Sequence, residues 1–254
     1  MYKPSQHSEV VPTARWVRVQ FGGEYVADSK RVLLIRQAGK LPEYAFHPDD
    51  INIELLESVS EPENDPHNGR LTFYNVKAAG GAVAEHAAWA YDAPPAERDE
   101  LQGYIGFKWN KMDHWYEESE EVSVHPRDPY KRVDAMPSSR HVRAEMDGVT
   151  VADSRNPTIL FETGLPVRYC LPPENVNMEY LEATSDHTRC PYKGLASYWL
   201  VTVNGNELRN LVWGYPDPIP EAPKIKKNLL CFFNEKVDIY VDGDLQERPL
   251  SPWS

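Results

Sequence analysis

The residues best suited to chemistry lie in one short segment of the second half of the chain, Thr188–Gly194, which reads TRCPYKG. Cys190 can act as a nucleophile through its thiolate, a form that the neighbouring cations Arg189 and Lys193 favour. Lys193 can also hold an anionic group or polarise a carbonyl group. The alternative is that Cys190 packs as a small apolar residue under a tight turn. The segment predicts a cysteine and lysine site without naming its reaction.

Three further polar residues are candidates for the same site. His187 precedes Cys190 in the order Asp-His-x-x-Cys, and His187 and Glu162 are candidates for acid–base catalysis. Catalytic groups are normally brought together by folding, so this order alone does not establish a triad. Arg168 is a candidate clamp for an anionic group. The alternative for Glu162 and Arg168 is an ordinary ion pair.

Aromatic residues of the same half of the chain form a second candidate set, the walls of a ligand pocket. Two of them are neighbours on one predicted strand, so alternation directs Tyr198 and Trp199 to opposite faces of a sheet. Aromatic residues also fill the cores of small β domains, which is the alternative for each of them. The predicted ligand-binding aromatic residues are Tyr169, Tyr198, Trp199, Trp213 and Tyr215.

The elements that must position these residues occur twice in the chain. Val26–Ser29 recurs as Val151–Ser154, a shift of 125 positions, and the same shift places Gly69 on Gly194. The residues before the first of these glycines, Pro62–Asn68, contain neither the thiol nor the ammonium group. The sequence therefore predicts an internal duplication with one working site, in the second copy.

Short alternating segments separated by turn residues run through both copies. Asn204-Gly205 lies between two such segments and is a strong hairpin signal, because both positions must accept positive φ. The 22 prolines among 254 residues exceed the usual share of about 5% and punctuate short strands. The predicted fold is mainly β, in two similar small domains. The predicted division is a polar lead-in at residues 1–14, a first repeat at 15–121, a linker at 122–139 and a second repeat at 140–254.

Composition narrows the classes of partner and compartment. A formal net charge of −12 argues against nucleic acid or an anionic membrane surface as the main partner. No stretch approaches the roughly 20 apolar residues that span a bilayer. Three cysteines without a CxxC pair predict no disulfide framework and a cytoplasmic location. The histidines lack ligand spacing, so we expect neither a metal site nor a cofactor.

Several of these segments together resemble one family. Arg155–Glu162, Thr188–Trp199 and Trp213–Pro218 follow the pattern of domain of unknown function family 427, and the first copy is similar at Trp89–Tyr91 and Gly103–Phe107. The resemblance implies a β-tent fold, similar to methionine sulfoxide reductases of the B type, small zinc-binding chaperones and the ligand-binding domain of cereblon. It implies no activity. These fold relatives suggest either cysteine chemistry or an aromatic cage.

We therefore expect two tandem β-tent-like domains that act on or bind a small, polar or anionic molecule in the second copy. The first copy is expected to be a structural partner that packs on the second with pseudo-twofold symmetry. Two alternatives stay open. One is a binding or sensor module that holds a ligand in an aromatic pocket without turnover, and the other is a purely structural interaction domain.

Overall fold

The computed structural model describes residues 9–37, 39–65, 69–94, 96–222, 224–225, 228–251 and 254. Their regular secondary structure consists of β-strands and short 3-10 helices, and these residues form no α-helix. They divide into two compact units, one that ends at Asp128 and one that begins at Pro129. The prediction of a mainly β fold in two similar halves is confirmed.

The first unit consists of two antiparallel sheets. In chain order its strands are β1 (Glu9–Thr13), β2 (Val17–Phe21), β3 (Glu24–Ser29), β4 (Val32–Arg36), β5 (Glu43–Phe46), β6 (Leu56–Asp65), β7 (Gly69–Lys77), β8 (Val83–Ala93), β9 (Ile105–Phe107), β10 (His114–Glu117) and β11 (Glu120–Glu121). The larger sheet has the order β1-β4-β5-β9-β8-β7-β6, and the smaller has the order β11-β10-β2-β3. Short 3-10 helices at Pro48–Asp50, Ile53–Leu55, Ala96–Leu101 and Trp109–Lys111 connect them.

The second unit repeats this topology strand for strand. Its strands are β12 (Val133–Pro137), β13 (Val142–Met146), β14 (Val149–Ser154), β15 (Thr158–Glu162), β16 (Arg168–Leu171), β17 (Leu181–Cys190), β18 (Gly194–Val203), β19 (Asn206–Gly214), β20 (Leu230–Phe232), β21 (Asp238–Val241) and β22 (Asp244–Leu245). The larger sheet has the order β12-β15-β16-β20-β19-β18-β17, and the smaller has the order β14-β13-β21-β22. The 3-10 helices are Pro173–Asn175 and Met178–Tyr180.

Each larger sheet has a hydrophobic cluster on both of its faces. In the second unit one cluster joins the two sheets, through residues such as Val142 of β13 and Leu171 of β16. The other cluster lies on the opposite face, where Ala222, Ile225 and Leu229 of the segment after β19 cover the sheet. A fully buried isoleucine or leucine side chain contributes about 1.5–3 kcal/mol to the stability of the fold. This covered outer face carries most of the predicted site.

The duplication extends to individual ion pairs. Arg15 and Glu117 form a salt bridge of 2.9 Å in the first unit. At the positions 125 residues further along, Arg140 and Asp242 form one of 2.7 Å. This one ion pair next to the smaller sheet is therefore kept in both repeats, although the second acid is shorter by one methylene group.

Two strands lie outside the bounds predicted for the two repeats. β1 falls in the predicted lead-in and β12 in the predicted linker, and each pairs along its length with the next strand of its larger sheet. Both are edge strands, and each contains a proline, Pro12 and Pro137. Proline is tolerated at a sheet edge because its missing N–H group costs no ladder bond there. The polar composition of the first segment predicts a lead-in, and the proline and charge content of the second predicts a linker.

The expectation that the cysteines form no disulfide is wrong for two of them. Cys170 of β16 and Cys231 of β20 are direct cross-strand partners, and a disulfide joins them. They are 61 positions apart in the sequence, so only the sheet register reveals that they meet. The equivalent register pair of the first unit is Ala45 and Gly106.

No helix among the described residues is long and apolar enough to cross a membrane.

Candidate functional site

The predicted site is centred on the turn between β17 and β18. Cys190 and Gly194 are the last cross-strand pair of these strands, and the N–H group of Lys193 donates to the carbonyl of Cys190 at 3.3 Å. The segment that follows β19 holds this turn from outside. The N–H group of Ile219 donates to the carbonyl of Lys193 at 3.0 Å, and Pro218 forms a β-bridge with Gly194.

The glycine that both repeats share is required by the backbone. Gly194 has a φ of +112°, and a Cβ atom there would lie 3.2 Å from the carbonyl oxygen of Asp217. Gly69 has a φ of +86°, and a Cβ atom there would lie 2.2 Å from the carbonyl oxygen of Ala93. The glycine is therefore a feature of the fold. The neighbouring first-copy residues 66–68, which include His67, lie outside the described residues.

Lys193 and Glu162 form a buried ion pair. Glu162, the last residue of β15, accepts a hydrogen bond from the Lys193 ammonium, and their side chains are 4% and 8% exposed. The same ammonium lies 5.5 Å from the ring centre of Trp213 and 5.6 Å from that of Tyr215. The site therefore contains one positive charge, one negative charge and two aromatic rings. Four of the predicted site residues meet here: Lys193, Glu162, Trp213 and Tyr215.

Cys190 is the free thiol beside this pair. It is partly exposed and packs in the same hydrophobic cluster as the buried Tyr215. Burial raises the pKa of Tyr215 well above its ordinary value, and the nearby Cys190 and Glu162 raise it further. The phenol therefore keeps its proton near neutral pH and can donate a hydrogen bond to sulfur or to a developing oxyanion.

Trp213 and Tyr198 complete the outer-face cluster. They are cross-strand partners on β19 and β18, and Trp213 packs edge-on against Tyr215 with ring centres 5.8 Å apart. The Tyr198 hydroxyl hydrogen-bonds Thr188 at 2.6 Å. The indole N–H group of Trp213 is buried and has no hydrogen-bond partner in the part of the chain that the structure describes. A buried donor without a partner is uncommon and is a point where a ligand or a water molecule can bind.

His187 does not join Cys190. It is exposed, and its ring nitrogen lies 3.1 Å from the carbonyl oxygen of Ala196 and 3.4 Å from the Ser197 hydroxyl. Residues three apart on a strand point to opposite faces, which separates His187 from the thiol. Asp186 instead accepts hydrogen bonds from Arg209 and Asn210. The residues in the order Asp-His-x-x-Cys therefore form no triad.

Arg168 forms a separate buried ion pair with Glu235. Its guanidinium donates two hydrogen bonds to Glu235, of 2.5 and 2.6 Å, and another to Asn234. The side chains of Arg168 and Glu235 are 4% and 0% exposed. Burial opposes ionisation of Glu235, but the hydrogen bonds from Arg168 and Ser251 outweigh it, and the pKa of Glu235 is lowered. An anion clamp needs an uncompensated cation, so the proposed role of Arg168 is not supported.

The two other predicted aromatic residues lie on the inner side of the larger sheet. Tyr169 is buried in the cluster between the two sheets, where burial raises its pKa. Trp199 also packs against that cluster, on the face opposite Tyr198, as strand alternation predicts. Trp199 lines a mainly apolar cleft of about 260 Å³. The other lining residues are Pro173, Met178, Gly214, Tyr215, Pro216, Asn228, Leu229 and Leu230.

The register of the repeats shows which residues replace the site in the first unit. Asp65 pairs with Gly69 as Cys190 pairs with Gly194, so an acid stands where the second unit has the thiol. The 125-residue shift places Gln37 on Glu162 and Asn68 on Lys193. Both charges of the ion pair are thus replaced together by amides. This joint replacement is the sequence signal that could have predicted the pairing of Glu162 with Lys193.

Among the described residues, no group of three or more His, Cys, Asp or Glu side chains is arranged to hold a metal ion.

Comparison with known proteins identifies a family. The model of a family described as "Domain of unknown function (DUF427)" matches this chain twice, at residues 9–118 and 134–243. A segment of 62 residues is also 36% identical to the D(2) dopamine receptor A of Xenopus laevis. That segment spans 24% of this chain and 13% of the receptor, so the match extends to only a small part of either protein.

Proposed function

Since the chain belongs to the DUF427 family, whose description assigns no activity, we propose a function from the site itself: cysteine-dependent chemistry on a small carbonyl compound. Cys190 is the nucleophile and Tyr215 is the hydrogen-bond donor beside it. Lys193, held by Glu162, lies against the rings that form the wall of the site. The packing of the Cys190 thiol in one cluster with the protonated Tyr215 phenol is the observation that carries the proposal.

The proposed step is reversible addition of the thiol to a carbonyl group. The Cys190 proton leaves to solvent, and the sulfur forms a bond to the carbonyl carbon. The π electron pair of the carbonyl group moves to its oxygen, which then accepts a hydrogen bond from Tyr215. When this oxygen takes up a proton, the adduct is neutral. In reverse, the carbon–sulfur bond breaks and the carbonyl compound and thiol are restored.

A competition experiment tests this function. A panel of small aldehydes and ketones is added to the native protein, and the rate at which iodoacetamide labels Cys190 is followed by peptide mass spectrometry. We expect at least one carbonyl compound to slow labelling with saturable dependence, and Cys190→Ser to abolish its binding in a thermal-shift assay. Labelling that no compound slows, or binding that persists in Cys190→Ser, contradicts carbonyl addition at this cysteine.

A second candidate function is ligand binding without turnover, favoured by the apolar cleft at Trp199. A cleft of this size suits a small apolar group. This candidate predicts a ligand that raises the melting temperature of the wild type and of Cys190→Ser but not of Trp199→Ala. A ligand whose effect needs Cys190 favours the first candidate. The absence of nucleic-acid partners also belongs to the proposal, with the net charge of −12 as support. The cytoplasmic location predicted from the cysteines loses that support, because Cys170 and Cys231 form a disulfide, a bond that is rare in that compartment.

A further inference from the structure

Building on the proposed function, we propose that Glu162 is a specificity-determining residue that makes the Cys190 site select uncharged electrophiles. The sequence alone had favoured a polar or anionic molecule, with Lys193 as its cationic partner. The structure instead shows that the Lys193 charge is already neutralised inside the protein by Glu162. This changes the class of ligand that the site can hold.

The burial of the pair makes the neutralisation effective. Both side chains are more than nine-tenths buried, so solvent screens their attraction only weakly. An anion that entered beside them would lose its hydration and gain little from a compensated ammonium, while the carboxylate would repel it. A neutral ligand loses less hydration. The balance of these effects favours uncharged molecules.

The first repeat supports treating the pair as one unit. Gln37 and Asn68 occupy the positions of Glu162 and Lys193, so both charges are replaced at once. A buried charge left without its partner strongly destabilises the fold, which disfavours the loss of one member alone. The pair therefore behaves as a net-neutral element of the fold, and its replacement by two amides preserves that neutrality.

Two polar groups near the pair are uncharged donors. Tyr215 keeps its phenolic proton, and the buried indole N–H group of Trp213 has no hydrogen-bond partner among the described residues. Such groups bind the oxygen of a neutral carbonyl or amide compound without compensating a negative charge. These donors and the neutral ion pair therefore both favour an uncharged ligand.

The test compares two alkylating reagents of similar size, neutral iodoacetamide and anionic iodoacetate. In both reactions the Cys190 sulfur forms a bond to carbon, the carbon–iodine bond breaks, iodide leaves with the electron pair, and the thiol proton goes to buffer. The rate ratio of iodoacetamide to iodoacetate at Cys190 is divided by the same ratio for glutathione. We expect this normalised ratio to be about tenfold or more in the wild type, as partial burial of a charge implies.

Two variants isolate the role of Glu162. Glu162→Gln leaves the Lys193 ammonium uncompensated, so we expect the normalised ratio to fall about tenfold below the wild-type value in mildly acidic buffer. The double variant Glu162→Gln with Lys193→Asn reproduces the amide pair of the first repeat and should restore the preference for iodoacetamide. Circular dichroism of each variant checks that the β fold is retained, and the double variant gives the readout if Glu162→Gln does not fold.

The outcomes separate this inference from the proposed function. If neither reagent labels Cys190, the proposed function fails. If Cys190 reacts but the wild-type normalised ratio is near one, the inference alone is overturned. It is also overturned if folded Glu162→Gln keeps the wild-type ratio across the mildly acidic to neutral range, or if the double variant loses the preference.

Discussion

The buried phenol of Tyr215 and the partly buried thiol of Cys190 pack in one hydrophobic cluster, and burial raises the pKa of the phenol so that it keeps its proton. Neither residue is informative alone, since a free cysteine is often a packing residue and a buried tyrosine is often part of a core. Together they place a neutral donor in the same cluster as Cys190, the one free thiol among the described residues. A thiolate formed there has a hydrogen bond ready to accept, and so does an oxyanion formed on the adjacent atom.

Tyr215→Phe removes this donor and keeps the ring. Hydrogen bonds to charged groups contribute about 1.5–3 kcal/mol, so we expect alkylation of Cys190 near neutral pH to slow by about tenfold or more. The rate is followed by site-resolved mass spectrometry. Tyr198→Phe is the matched control, because its hydroxyl lies in the same cluster but bonds Thr188. Equal rates in wild type and Tyr215→Phe would show that the hydroxyl does not assist the thiol.

Alanine substitutions at three glycines should destabilise the fold to different extents. Gly243→Ala meets only the backbone cost of its φ of +97°, about 1–2 kcal/mol, since no atom lies within 4 Å of the added Cβ. Gly194→Ala adds a tight contact with the carbonyl oxygen of Asp217, and Gly69→Ala adds a severe clash with that of Ala93. We expect the loss in unfolding free energy to increase in the order Gly243, Gly194, Gly69. Urea denaturation measures it, and a loss at Gly69 no larger than at Gly243 would contradict the backbone explanation.

Breaking the Arg168–Glu235 pair should be costly at neutral pH. Arg168→Met leaves the buried Glu235 carboxylate without its cation, and we expect a loss of about 3–5 kcal/mol in unfolding free energy. The double variant Arg168→Met with Glu235→Gln should recover part of that loss, because no lone charge remains. A double variant less stable than Arg168→Met would show that the pair is not the source of the cost.

The same pair gives a pH dependence with a defined sign. The pKa of Glu235 is lowered in the folded state, so its ionisation stabilises the fold above the unfolded value of about 4.3. That contribution disappears as the pH falls through the folded pKa, when the carboxylate takes up a proton. We expect the stability difference between wild type and Glu235→Gln to shrink below about pH 4. Urea denaturation across this range checks it, and a difference that is constant with pH would exclude the ionisation of Glu235 as its cause.

The sequence predicts the fold better than the site. The repeat, the hairpins and the opposite directions of Tyr198 and Trp199 all depend on local pattern, and the structure has each of them. The disulfide between Cys170 and Cys231 depends on long-range register, which local pattern does not contain. The linker prediction depends on proline and charge, but Pro137 lies in the edge strand β12, where a proline is tolerated as it is in a loop.

For the site, residue type identified the participants but not their pairing. Glu162 and Lys193 were assigned separate chemical roles, whereas the structure joins them as an ion pair. His187 was included for its closeness in sequence, although three positions along a strand change the face. An ion pair is the alternative that the sequence analysis gives for Arg168, but the sequence does not show that its partner is Glu235, 67 positions later. Such pairings arise when distant strands are packed together.

The most direct test of the account is the rate at which iodoacetamide labels Cys190 in the native protein near neutral pH, with each labelled cysteine identified by mass spectrometry. The reference is the same cysteine in the urea-unfolded chain. We predict that Cys190 alone is labelled in the folded protein, while Cys170 and Cys231 are protected by their disulfide, and that its rate equals or exceeds the unfolded rate despite partial burial. Labelling of Cys190 about tenfold slower in the folded protein than in the unfolded chain would contradict the account and identify it as a packing residue.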